Sequence, residues 1–172
     1  IVDGSGLPAR RGDVSVVGGK VVAVGGHAAA EAARVIDATG KVVAPGFIDP
    51  HTHYDAQLCF DPYAFPAIEH GVTTVVPGNC SLSLAPLRAE QRVAFSSMFR
   101  LIEEMPEAAF DAGVDWRWGE DFGGMLDALT GNIALNVAPL VGHSVLRMYV
   151  MGDAAQERPA TPEEIAAMAD VL

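Results

Sequence analysis

Val42-Val43-Ala44-Pro45-Gly46-Phe47-Ile48-Asp49-Pro50-His51-Thr52-His53 is an apolar stretch that runs straight into two histidines separated by one residue. Side chains of a strand alternate faces with a period of two, so a strand here projects His51 and His53 to the same side. A divalent metal of zinc type accepts neutral histidine nitrogens at about 2.0–2.1 Å, and two ligands fixed on one strand lose little freedom on binding it. Pro45 and Gly46 mark the entry into the strand, while Phe47 and Ile48 bring apolar bulk to it, and the strand is expected to be buried. Taken alone, a His-x-His pair equally describes two histidines without a metal, so the neighbouring sequence has to decide.

Outward from this stretch, residues 35–53 as a whole (Val35-Ile36-Asp37-Ala38-Thr39-Gly40-Lys41 and then the strand) resemble the opening of the amidohydrolase superfamily, metal-dependent hydrolases built on a (β/α)8 barrel. His70-Gly71-Val72-Thr73-Thr74-Val75-Val76-Pro77-Gly78-Asn79-Cys80 is similar to the segment by which N-acyl-D-amino-acid deacylases place a cysteine thiolate on the metal. Gly142-His143-Ser144-Val145-Leu146-Arg147, Tyr149-Val150-Met151-Gly152 and Ala160-Thr161-Pro162-Glu163-Glu164-Ile165 resemble the same family, so the likeness covers essentially the whole chain.

The flanking elements follow from local signals. Asp13-Val14-Ser15-Val16-Val17 and Lys20-Val21-Val22-Ala23-Val24 are β-branched runs joined by Gly18-Gly19, a two-residue hairpin signal. Val35-Ile36-Asp37 and Lys41-Val42-Val43 are expected to flank a second turn at Ala38-Thr39-Gly40, with His27 solvated in an alanine- and glycine-rich connection. After His53, Tyr54-Asp55-Ala56-Gln57 is expected to cross the barrel mouth; there Asp55 either orients a metal-bound histidine or serves as an ordinary loop or cap residue. Asp61-Pro62 reads as a helix start and His70-Gly71 as its end, which makes His70 a cation at a helix C-terminus rather than a ligand. Thr73–Val76 is the next strand, and it ends at Cys80.

Roughly fifty residues separate Cys80 from the next strand, far more than the ~2–6-residue loops and one helix of a barrel unit, so a helical insertion is expected at about 84–131. Phe95, Met98, Phe99, Ile102 and Met105, and then Phe122, Met125, Leu126 and Leu129, fall at helical spacing and read as core-facing stripes. Trp116 and Trp118 either line an acyl-chain pocket or anchor the loop by packing. Ile133–Val141 is a near-continuous apolar run suited to a parallel strand covered on both faces. His143 follows at its C-terminal end, where it either reaches the pocket or is a hydrogen-bonded structural residue. Arg147 either attracts a substrate carboxylate or forms a salt bridge. Thr161-Pro162-Glu163-Glu164 combines a cap, proline in the first turn and a glutamate three residues on, and Ile165, Met168 and Leu172 follow on one face.

Composition excludes several classes. Half of the 172 residues are hydrophobic, which argues for a folded core, and 22 acidic against 11 basic residues give a formal charge of −11, which repels nucleic acid and anionic membranes. Neither a signal-peptide layout nor an apolar run long enough to span a bilayer occurs, so a cytoplasmic protein is expected. Two cysteines, Cys59 and Cys80, do not make a disulfide framework, and Cys59 reads as a packed small hydrophobe.

The expected fold is therefore α/β: part of a small β-sandwich domain over 1–45, then over 46–172 the first three βα units of a metal-dependent TIM barrel, incomplete because such a barrel needs eight strands. The resemblance implies a zinc-dependent amide hydrolase that removes the acyl group from N-acyl-D-amino acids. It implies one or two zinc ions held by His51, His53 and Cys80; by position, Asp55, His143 and Arg147 are the candidates for substrate or supporting residues. The remaining histidine ligands and a general-base aspartate are expected outside this chain, in a C-terminal remainder, and the piece alone is expected to be inactive. Two alternatives stand beside this: a cyclic-amide hydrolase of the hydantoinase or dihydroorotase type, and a non-catalytic scaffold with the same fold. A competing use of Cys80 as a nucleophile needs a base beside it.

Overall fold

In the computed structural model, which describes residues 1–28 and 31–172, Gly18 and Gly19 both adopt positive φ and turn the chain back on itself. The resulting hairpin pairs Val14–Val17 (β1) with Lys20–Val24 (β2) antiparallel, with an irregularity between Ser15 and Val16. The chain divides into two compact units, Ile1–Gly46 and Phe47–Leu172. In the first, the turn at Ala38-Thr39-Gly40 forms, closed by Lys41 N–H donating to Ala38 O at 2.9 Å. Its expected flanking strands do not form. Strands exist by ladder pairing, and the bond from Val2 N–H to Val43 O (2.9 Å) does not make a ladder. Ala29 and Ala30, inside the alanine-rich connection, lie outside the described residues; His27 is exposed.

The second unit is built on a three-stranded parallel sheet of order β3-β4-β5, formed by Phe47–Thr52 (β3), Val72–Pro77 (β4) and Asn136–Val137 (β5). β3 begins directly after Gly46, but it is not the buried strand expected: Phe47 and Ile48 are 65% and 66% exposed. Among the described residues β4 is its one neighbour. Pro50, which has no N–H to donate, is tolerated there and accompanies a break in register between Asp49 and Thr52. β5 is also shorter than the apolar run 133–141. Pro139 cannot donate, although Ala138 and Leu140 still hydrogen-bond Val75 and Pro77 of β4.

Between β3 and β4 the expected helix shrinks to a single 3₁₀ turn, Ala67–His70. Pro62 and Pro66 supply no N–H, and Ala64 has φ +50°, so the Asp61 carboxylate instead accepts the Tyr63 and Phe65 N–H groups. The turn ends at Gly71, whose left-handed φ of 85° closes it as the sequence indicates.

Between β4 and β5 the chain forms Arg92–Glu103 (α1), Glu107–Gly113 (α2) and Phe122–Leu129 (α3), one helix more than the two stripes indicate. Phe95, Phe99 and Phe110 are fully buried with adjacent ring centroids 5.8 and 5.7 Å apart, and they join Leu84, Leu87, Trp118 and Met125 in the core. Ile102 and Leu126, by contrast, stand exposed. Trp118 is packed in this core, and Trp116 lies partly buried beneath the Arg92 guanidinium, 5.1 Å from its ring. Packing, rather than an open acyl pocket, is the role both indoles have in this arrangement.

After β5 come His143–Met151 (α4), Ala154–Glu157 (α5) and Pro162–Val171 (α6). The start of α6 is a complete capping box: Glu164 N–H donates to Thr161 Oγ1 and Thr161 N–H donates to Glu164 Oε2. Of its apolar face Met168 is buried, whereas Ile165 and Leu172 are exposed. No helix among the described residues is long and apolar enough to cross a membrane.

Candidate metal centre

The pleat of β3 sends Thr52 inward, where it is buried, and leaves His51 and His53 on the other side. Their Nε2 atoms lie 3.4 Å apart and their ring centroids 5.4 Å apart. His51 N–H donates to the Asp49 carboxylate at 3.2 Å, which holds the backbone where the ladder register breaks.

Cys80 arrives from β4 through a turn whose geometry the neighbours dictate. Gly78 has φ +89°, and a Cβ there would overlap the Leu140 carbonyl oxygen, so only glycine fits. Asn79 Nδ2 donates to Pro50 O at 3.0 Å and thereby ties the end of β4 to the residue before His51. Beyond Cys80, Ser144 N–H donates to the carbonyl and hydroxyl oxygens of Ser81, and Gly142 N–H donates to the hydroxyl of buried Ser83. Ser83 Oγ in turn donates to Ala85 O at 2.7 Å. The loop that carries Cys80 is thus clamped to the start of α4.

As a result one ligand atom each from His51, His53 and Cys80 lies within 4.8 Å of the other two. Two nitrogens at about 2.0–2.1 Å from a tetrahedral zinc are about 3.3 Å apart, close to the 3.4 Å between the two Nε2 atoms. Two nitrogens and a sulfur are also a donor set that zinc favours, so the residues fit such an ion.

The other expected site residues are placed differently. Asp55 is buried, 6% exposed, with Oδ2 lacking a hydrogen-bond partner, and its carboxyl is pushed up to about 7, chiefly by burial, with the nearby Glu103 charge adding to the rise. The group in contact with a histidine is Glu103 of α1, whose Oε1 lies 2.6 Å from His53 Nδ1. Glu103 was not among the residues singled out in the sequence, yet a signal exists: it follows Phe95 and Phe99 at intervals of four, a carboxylate on the buried face of α1. His143 is the exposed first residue of α4 and is not one of the three clustered ligands. Arg147 donates to the carbonyl oxygens of Ala155 (2.8 Å) and Arg158 (3.0 Å), so it fastens the α4–α5 region by hydrogen bonds in place of the expected salt bridge. Cys59 is partly buried; its thiol, 3.6 Å from Asp55 O, is pushed up to about 12 by burial.

The sequence profile of the Amidohydrolase family matches residues 34–172. An N-acyl-D-aspartate deacylase of Alcaligenes xylosoxydans xylosoxydans is 44% identical over 173 aligned positions, which take in 100% of this chain and 32% of that protein. A solved D-aminoacylase, described with a binuclear metal centre, superposes with a TM-score of 0.80 at 43% identity over 98% of this chain and 33% of its own. An N-acyl-D-glutamate deacylase from Bordetella bronchiseptica, in complex with zinc and a phosphonate inhibitor, does so with a TM-score of 0.74 at 35% identity, covering 99% of this chain and 33% of its own. The chain spans about a third of the length of the curated relatives it matches.

Proposed function

This chain belongs to the amidohydrolase family and shares its mixed α/β fold, and from that premise we propose that it carries the zinc-binding part of an N-acyl-D-amino-acid deacylase. The observation that carries the reading is the convergence of His51, His53 and Cys80, delivered by the ends of two adjacent parallel strands. Active sites of (β/α)8 barrels lie at the C-terminal ends of their strands, and these three residues lie at or just beyond such ends. On this reading 46–172 form the first three βα units of a barrel with the helical segment at about 84–131 inserted, and 1–45 form part of a small β domain.

His51 and His53 would hold the ion through ring nitrogens and Cys80 through its thiolate. When bound, zinc supplies Lewis-acid polarisation of the amide carbonyl and activation of water. Asn79 and Gly78 keep the cysteine loop against β3, so that Cys80 is presented with little motion to arrest. The proton-transferring carboxylate and the remaining ligands come from residues outside this chain. The substrate is a small N-acyl amino acid, and the acidic surface suits a cytoplasmic enzyme that does not engage nucleic acid.

The test uses the full natural protein, assayed for zinc by elemental analysis and for release of amino acid from N-acetyl-D- and N-acetyl-L-amino acids. We expect bound zinc, hydrolysis of the D-series, and loss of both in Cys80→Ala. Zinc binding unchanged in both His51→Ala and Cys80→Ala would falsify the assignment of the centre, and hydrolysis confined to cyclic amides would overturn the deacylase.

A further inference from the structure

We infer that Glu103, at the end of α1, is a positioning residue for His53, so that a helix of the inserted segment sets the orientation of a metal ligand. The inference rests on the metal centre proposed above. His53 Nδ1 and Glu103 Oε1 are 2.6 Å apart, and Oε1 is buried with no described donor, His53 included, aligned on it as a hydrogen bond, so the closest group able to satisfy it is the His53 ring nitrogen. A buried carboxylate oxygen left in that state costs on the order of 1–3 kcal/mol, and the imidazole N–H beside it is the group able to relieve it. Contact with a carboxylate keeps the proton on Nδ1 and leaves the Nε2 lone pair free. Nε2 is the atom that faces His51 Nε2 at 3.4 Å, so this tautomer aims both histidines at one point.

The fold explains why α1 reaches the centre. Phe95, Phe99 and Glu103 recur every four residues on one face, and the first two are fully buried against Phe110 and its neighbours, which fixes the rotation of the helix. Glu103 then projects from the last turn of the same face. Arg100, one turn earlier, is paired instead with Glu107 at 2.9 Å, which leaves the Glu103 carboxylate to His53.

The experiment compares wild type, Glu103→Ala and Glu103→Gln in the full natural protein, with the adjacent exposed Glu104→Gln as control. Two quantities are read: the zinc dissociation constant, by competition with a chromophoric chelator, and the His53 tautomer in metal-free protein, by ¹H–¹⁵N long-range correlation assigned through His53→Asn. We expect Glu103→Ala to weaken zinc binding about 10–100-fold and to lose the Nδ1–H tautomer, with Glu104→Gln unchanged. Glu103→Gln, which keeps the volume and an accepting oxygen, is expected to retain the tautomer while binding zinc about 3-fold or more weakly, and it replaces the alanine variant if that does not fold. Wild-type affinity and tautomer in Glu103→Ala, or wild-type affinity in Glu103→Gln, overturn the inference. If His51→Ala and Cys80→Ala lose zinc while the Glu103 variants do not, this inference alone falls; if none of them loses zinc, the centre itself falls.

Discussion

The hairpin of β1 and β2 and the strand β4 are both made of β-branched residues, yet they meet opposite environments. Among the described residues no side chain of the unit Ile1–Gly46 is buried, and the valines at 16, 17, 21, 22 and 24 are exposed. In the unit Phe47–Leu172, Val75 of β4 is fully buried at the centre of the sheet and the whole core of the described residues lies there. Pattern and turn chemistry are enough to make two strands pair, but they do not make a core. A core needs apolar side chains brought together from several elements, and in the second unit the phenylalanines of α1 and α2 meet Leu84, Leu87, Trp118 and Met125.

The sharpest way to break this contrast is Phe99→Ala. It should destabilise the second unit by about 3–5 kcal/mol in denaturant unfolding, whereas a loss below about 1 kcal/mol would mean that the aromatic cluster is not its core. Next in size is Gly78→Ala, which combines a left-handed φ with overlap on the Leu140 carbonyl. We expect a loss of about 1–3 kcal/mol together with weaker zinc binding, and unaltered stability would show that the β4 turn is not held as described.

A smaller effect separates the two cysteines of the second unit. The Cys59 thiol has its pKa raised from 9.0 to about 12 on folding, so its neutral burial contributes stability that is full below about pH 9 and declines as pH rises from 9 towards 12. Cys59→Ala should therefore show a shallower loss of stability between pH 8 and 10.5 than wild type, and an identical slope would exclude Cys59 as the source. At pH 8, Cys59 should resist a thiol reagent in the native state, while Cys80 labels in metal-free protein and is protected by zinc; mass spectrometry of the labelled peptides decides. The smallest expected effect is Val22→Thr in the hairpin of the 172-residue chain, within about 0.5 kcal/mol of wild type by the same unfolding assay. A larger loss would show that the first unit has a core after all.

Much of the site was legible before the fold. The His-x-His spacing places His51 and His53 on one side because strand alternation is set by backbone geometry, and Pro-Gly-Asn before Cys80 marks a strand end. Apolar composition does not say which elements lie beside a strand, so the exposure of Phe47 and Ile48 is not legible in it. Asp55 is, by sequence proximity, either a partner of a histidine or an ordinary loop residue, and the carboxylate the fold brings to His53 is Glu103 of α1, fifty residues on. The stripe through Ile102 drew attention to the wrong neighbour: Phe95, Phe99 and Glu103 share the inward face and Ile102 turns away.

By itself, then, the sequence determined the features that depend on adjacent residues: the glycine hairpin, the shared side of the two histidines, the left-handed close at Gly71 and the capping box of Thr161 and Glu164. Each follows from covalent geometry and hydrogen bonds reaching at most four residues, which no distant contact has to complete. The meeting of Cys80 with the two histidines and of Glu103 with His53 is instead a product of the tertiary structure. Those contacts join residues 27 to 50 positions apart, and their distances are set by how sheet and helices pack, a property of the whole core and of no single stretch.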